Sequence, residues 1–232
     1  DYYFIKEITW VIVGTIGMAI TMSIDYHIYK KFTPWLVIIT LALLIIVLFA
    51  GADINGAVRW IRLGPLSFQP SELAKYVLVL YLALLIDKRK NKIKKFGEGT
   101  ILYLCIAAVF AVLVLLEKNL SITAIIMMVA FIMILVGGAK ISHLLSLVPV
   151  GIAAGLALIF TQSYRLDRLT SFLNPWADPS GDSYQLIQSL YALGSGGIFG
   201  VGLGNSRQKA LFMPEPHNDF IFSIIGEELG LI

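Results

Sequence analysis

The sequence predicts an all-α fold, a polytopic bundle of membrane helices with about seven spans and a long outer loop before the last, and three observations predict it. Of the 232 residues 58% are hydrophobic and only 14% are charged, against roughly a half and a quarter in soluble domains, and the mean hydropathy is +0.82. The apolar residues fall into stretches long enough to cross about 30 Å of hydrocarbon at 1.5 Å per residue. Basic residues crowd into the short loops of one side, as retention of Lys and Arg in the cytoplasm requires. A water-soluble enzyme is excluded, because a soluble domain of this length needs far more surface charge. The formal net charge of +3 comes from a few loops without any nucleic-acid motif, so no nucleic-acid partner is expected. Cys105, the single cysteine, sits inside an apolar run, which rules out an intramolecular disulfide and a cysteine zinc site.

The spans run from about Ile8 to Ile24, Pro34 to Ala52, Ser71 to Ile86, Thr100 to Leu116, Leu120 to Val136 and Leu144 to Thr161, each bounded by polar residues, and a seventh begins near Phe220. The thirteen residues from Phe220 to Ile232 are too few to cross a bilayer. The opening DYYFIKEITW has neither an initiating methionine nor a targeting segment. The chain therefore reads as part of a longer protein, a single membrane domain over 1–232 with an extracytoplasmic loop at 162–218. Lys30, Lys31, the six basic residues between Lys88 and Lys95, and Lys140 make nine positive charges in short loops on one side. The eight on the other side (Lys6, Arg59, Arg62, Lys118, Arg165, Arg168, Arg207 and Lys209) are spread over longer segments. Density thus makes the first side cytoplasmic. The charge run KRKNKIKK reads as a topogenic loop lying on anionic membrane lipid.

Two outer loops remain, Asp53 to Pro70 and Gln162 to Asn218. The second is too apolar to be disordered and is expected to lie on the membrane interface, with a short amphipathic helix near Tyr184 to Leu193. Glu72 and Lys75 lie three residues apart at the outer end of the third span, so they share a helix face and can pair; that pair fixes helix packing or serves function. In MPEPHNDF, Glu215, His217 and Asp219 fall just before the seventh span, where a lipid headgroup would lie, and a carboxylate there can act as general base. Asp219 or Asn218 can instead cap that helix. His27, His143 and His217 have no metal-ligand spacing, so no metal site is expected. The glycines from Gly194 to Gly204 form a loop able to approach a phosphate closely or to serve as a plain turn. Arg207, Lys209, Arg59 and Arg62 can supply cations to a pyrophosphate or to lipid headgroups. Glu227 and Glu228 lie about 12 Å deeper than Asp219 on an ideal helix, so one is expected to pair or to face the bundle interior. Gly151 and Gly155 suggest close helix packing, and Pro149 a kink.

The strings NGAVRWIRLGPLSFQPSELAK, LNPWADPSGDSYQLIQSLYALGSGGIFGVGLGNSRQK and MPEPHNDFIFSIIGEELG together resemble the SEDS family (shape, elongation, division and sporulation), nearer its FtsW and SpoVE branch than its RodA branch. The resemblance implies ten membrane helices, of which the spans here are the second to eighth, and a peptidoglycan glycosyltransferase that polymerises lipid II, the undecaprenyl-linked disaccharide-pentapeptide, on the outer face of the cytoplasmic membrane. By motif position the family's catalytic acid falls on Asp219, its outer-loop Trp on Trp60 with Arg59 beside it, and its Glu and Lys after QPS on Glu72 and Lys75. It also implies a class B penicillin-binding protein transpeptidase as partner. The chain departs from the family in lacking the remaining helices and the SYGGS segment, and in reading EKNLS where Glu or Gln followed by Pro-Asp-Leu-Gly is common, which leaves the role of Glu117 open.

The chemistry then expected has Asp219 deprotonate the carbon-4 hydroxyl of an acceptor GlcNAc as it attacks the anomeric carbon of the donor MurNAc, with inversion to a β-1,4 bond. Arg59, Lys75 and Arg207 stabilise the departing pyrophosphate, with Trp60, Glu72, Glu215 and His217 completing the substrate site. No cofactor is read from the sequence, and a divalent cation is compatible but has no ligand cluster. Two rival readings are a lipid II flippase, with Glu227 and Glu228 as its main support, and a non-catalytic scaffold for the transpeptidase.

Overall fold

In lipid each backbone N–H and C=O must be satisfied within the protein, so apolar runs of this length become helices. The structure, a computed structural model, describes residues 2–54, 57–64, 66–161, 163–181, 183–213 and 219–230. It is a multi-pass membrane protein built almost wholly of helices. Phe4–Ser23, Tyr26–Ala50, Phe96–Leu116 and Ile141–Phe160 are each long and apolar enough to cross a membrane. The described residues form two compact units, one up to Val148 and one from Pro149.

The first unit begins with α1 (Tyr2–Ser23), whose described side chains are all exposed, and α2 (Tyr26–Ala50). Asp25 caps α2 by accepting from the His27 amide at 2.8 Å, satisfying one of the free donors of its first turn. After Gly51 the chain forms β1 (Ala52–Ile54), β2 (Ala57–Leu63) and β3 (Leu66–Phe68), an antiparallel meander with Ala52 opposite Trp60 and Ile61 opposite Phe68. The segment expected as a loop is thus a small sheet, closed at one turn by Gly64 with φ of 64°, a left-handed conformation that glycine adopts without strain.

Helix α3 (Pro70–Lys88) starts on a proline whose missing N–H belongs to a donor with no intrahelical partner. A π-helical turn (Phe96–Ile101) leads into α4 (Leu102–Leu116), α5 (Leu120–Val136) follows, and α6 (Ile141–Phe160) runs on into the second unit without a break at Pro149. Leu44, Leu78, Leu82, Phe110, Ile126 and Ile134 meet in a core shared by α2 to α5. The lysine-rich loop joins this core: Ile93 is buried, and Lys92 and Lys95 bind Glu98 at 2.8 and 3.1 Å. Lys30 of α2 binds Asp87 of α3 at 2.7 Å, so the lysine-rich ends of these helices lie together and their other ends carry the sheet. Among the described residues nothing lies within 4 Å of a Cβ added at Gly151 or Gly155, in place of the close packing their spacing suggested.

The second unit holds α7 (Ser163–Leu173), a 3-10 turn (Pro175–Ala177), α8 (Tyr184–Gly196), α9 (Arg207–Leu211) and α10 (Ile221–Leu229). Ala192, Met213 and Ile224, with Phe220 against them, form its core. Helix α8 matches the amphipathic helix expected near Tyr184 to Leu193 and runs three residues further.

Candidate active site in two parts

Strand β2 carries Arg59 and Trp60, and as neighbours in a strand they project to opposite faces. Both are half-buried. The loop joining α4 to α5 is held tight by Asn119, which caps α5 by accepting from the Ile122 amide at 3.2 Å, and by Lys118, whose φ is 60°. This geometry turns two carbonyls toward β2: Arg59 donates from Nε to the Glu117 carbonyl at 3.0 Å and from Nη2 to the Lys118 carbonyl at 2.6 Å. A guanidinium has five N–H donors, so most of them remain for an anion. On α3, Lys75 and Glu72 form the pair their spacing allows, at 2.8 Å, with the Lys75 side chain the less exposed of the two.

Beneath Arg59 lies a group without a firm role in the sequence reading. Glu117 is 1% exposed, and burial pushes its carboxyl up from 4.5 to about 7, against the opposing pull of the Ser71 hydroxyl and the Arg59 charge. Ser71 lies close enough to act on the carboxyl, but neither Glu117 oxygen, nor the Ser71 Oγ, makes a hydrogen bond of normal geometry among the described residues. Its only sequence signal is a carboxylate one residue past an apolar helix; the burial comes from α3 and β2.

In the second unit Asp219 sits in the turn before α10 and is exposed. Phe220 occupies the cap position, and among the described residues no side chain caps the helix, so Asp219 takes no capping role there. Among the described residues Asp219 makes no hydrogen bond or ion pair. Glu215, His217 and Asn218 lie outside the described residues. Arg207 opens α9 with its side chain exposed and unpaired among the described residues, whereas Lys209 binds Glu228 at 3.3 Å.

Glu227, 2% exposed, finds its partners in the glycine-rich segment: Ser206 Oγ donates to it at 2.6 Å and the Arg207 amide at 3.1 Å. The amides of Val201 and Gly202 donate to the carbonyls of Glu227 and Glu228 at 2.9 and 3.0 Å. These N–H groups are therefore spent on α10, and the segment is a strap over that helix with no open cradle for phosphate there. Among the described residues no three His, Cys, Asp or Glu side chains gather as a metal site. The two units describe Arg59, Trp60, Glu72 and Lys75 on the one hand and Asp219 and Arg207 on the other, each in its own frame.

The model of the FtsW/RodA/SpoVE family, described as cell cycle protein, matches residues 1–232. The chain belongs to this family. Among FtsW/RodA/SpoVE relatives it is 41% identical over its whole length to a probable peptidoglycan glycosyltransferase FtsW of a Geobacter species, and 38% identical to stage V sporulation protein E of Bacillus subtilis. It spans 64% of the length of each. A solved structure described as the structural coordination of polymerization and crosslinking by a peptidoglycan synthase complex is similar with a TM-score of 0.70 and 26% identity, over 95% of this chain and 61% of that one. The Thermus thermophilus rod shape determining protein RodA is similar with a TM-score of 0.50 and 25% identity, over 90% of this chain and 52% of that one.

Proposed function

We propose that this chain is the central part of a peptidoglycan glycosyltransferase that polymerises lipid II into β-1,4 glycan strands on the outer face of the cytoplasmic membrane, for cell division or sporulation. The observation that carries the reading is Asp219: an exposed carboxylate at the mouth of α10, tied to no cap and no cation among the described residues, in a chain whose relatives are named as peptidoglycan glycosyltransferases. A carboxylate left free in this way remains available as a general base.

Asp219 takes the proton from the carbon-4 hydroxyl of the acceptor GlcNAc while that oxygen attacks the anomeric carbon of the donor MurNAc, and undecaprenyl pyrophosphate leaves from the opposite face with inversion. The leaving pyrophosphate gains charge as the bond breaks, and fixed cations lower the barrier by meeting that charge. Arg59 suits this role because neutral carbonyls hold it in place and leave its charge uncancelled by a hydrogen-bonded carboxylate. Arg207 and the partly neutralised Lys75 are the other cations proposed for this role, and Trp60, Glu72, Glu215 and His217 are proposed as substrate-binding residues. The step uses no organic cofactor, and a divalent cation can share the pyrophosphate charge.

The outward orientation rests on the lysine density at the opposite helix ends. A class B penicillin-binding protein transpeptidase is the proposed partner, supported by the likeness to a synthase complex that couples polymerization and crosslinking. Purified full-length protein incubated with lipid II tests the assignment. Polymer with release of undecaprenyl pyrophosphate is the expected result, whereas transfer of lipid II across liposome membranes without polymer establishes a flippase.

A further inference from the structure

Among the described residues of the first unit, Glu117 is the buried carboxylate, and its surroundings do not suit a permanent charge. Neither oxygen makes a hydrogen bond of normal geometry, only the nearby Ser71 hydroxyl and the Arg59 charge favour the ion, and a buried carboxylate held this way is costly. The charge acting on it is that of Arg59, brought over from β2. Of the other charged groups near it, Glu72 and Lys75 on α3 are paired with each other, Arg62 on β2 is exposed, and Lys118 is its neighbour in the loop. Helices α4 and α5 contribute no Asp, Glu, Lys, Arg or His.

We infer that Glu117 is a positioning residue that couples proton uptake to anion binding at Arg59: its carboxyl takes a proton from solvent when a pyrophosphate-bearing headgroup engages the guanidinium, and releases it when the headgroup leaves. The inference rests on the reading of Arg59 as a headgroup-binding residue. Arg59 and Glu117 share one environment through the carbonyls of Glu117 and Lys118 that receive the guanidinium. An anion on Arg59 offsets the field that supports the Glu117 carboxylate, and the buried group then favours its neutral form. Coupling is reciprocal, so an ionised Glu117 weakens the anion's hold on Arg59. With its carboxyl raised to about 7, the crossover falls within the pH range of ordinary assays. Protonation offsets part of the charge that the headgroup brings, and leaves Arg59 unopposed by Glu117 only while substrate is present.

The test is equilibrium binding of a fluorescent lipid II whose acceptor hydroxyl is blocked, so that nothing polymerises, to full-length protein in nanodiscs between pH 6 and 8. Its pyrophosphate diester does not titrate in that range. Wild type is expected to lose about 3- to 10-fold in affinity over this interval. Glu117→Gln, which mimics the protonated form, is expected to hold its pH 6 affinity throughout. Arg59→Gln is expected to bind weakly at every pH. Ser71→Ala removes a group that favours the ionised carboxyl, so its loss of affinity is expected at higher pH than in wild type, which keeps the test open if Glu117→Gln fails to fold. A Glu117→Gln profile parallel to wild type, or an unshifted Ser71→Ala profile, overturns the coupling while leaving Arg59 as a headgroup residue. Wild-type affinity in Arg59→Gln overturns both.

Discussion

A carboxyl group one residue beyond an apolar helix ordinarily reaches water; that of Glu117 is enclosed by α3 and β2 instead. The folded protein binds this proton more tightly than the unfolded chain does between about pH 4.5 and 7. Its contribution to stability is therefore full below pH 4.5 and is lost as the pH rises through 7. Thermal unfolding of the full-length protein in detergent is expected to show a loss of about 1–3 kcal/mol between pH 5 and pH 8, and Glu117→Gln is expected to remove that loss. At this scale the sequence identifies which residues carry charge near the membrane but not what they touch. Pairing of Glu72 with Lys75 follows from spacing on one helix. The partners of Arg59 and Glu227 come from segments 58 and 21 residues away, distances over which no periodicity speaks.

The helices were legible because long, predominantly apolar segments, which form helices of 17 to 25 residues in α5 and α2, have few other solutions in lipid. The sheet was not, since strands of three residues are too short for alternation to register, although Asn55-Gly56 between them is a hairpin signal. Contact between α8 and α10 depends on glycine. A Cβ on Gly196 would lie 2.1 Å from the Gly226 carbonyl, whereas one on Gly194 meets nothing within 4 Å. Gly196→Ala is expected to destabilise the protein by about 2–4 kcal/mol, and Gly194→Ala to be neutral or stabilising by up to about 1 kcal/mol. Differential scanning measurements on the two variants check this contrast. The strap over α10 has its own test: Glu227→Ala strands the Ser206 hydroxyl and the Arg207 amide, at a cost of about 1–3 kcal/mol, with faster proteolysis in 197–206 as the readout.

Across the molecule, lysines at one end of the helices and the sheet at the other predict the direction in which the protein sits. With Cys105 replaced by serine, a cysteine at Lys94 is expected to react with an impermeant reagent only in opened cells, and one at Asp178 in intact cells; the reverse pattern inverts the topology. Arg59, Trp60, Glu72 and Lys75 belong to the first unit, and Asp219 and Arg207 to the second. The most direct measurement is lipid II polymerisation by the full-length protein purified with its proposed transpeptidase partner, wild type against Asp219→Asn, a swap that preserves size but removes the proposed base. Loss of glycan strands from a variant that remains folded and partner-bound is the predicted result. Undiminished polymerisation by Asp219→Asn would show that this carboxylate does not take the acceptor's proton.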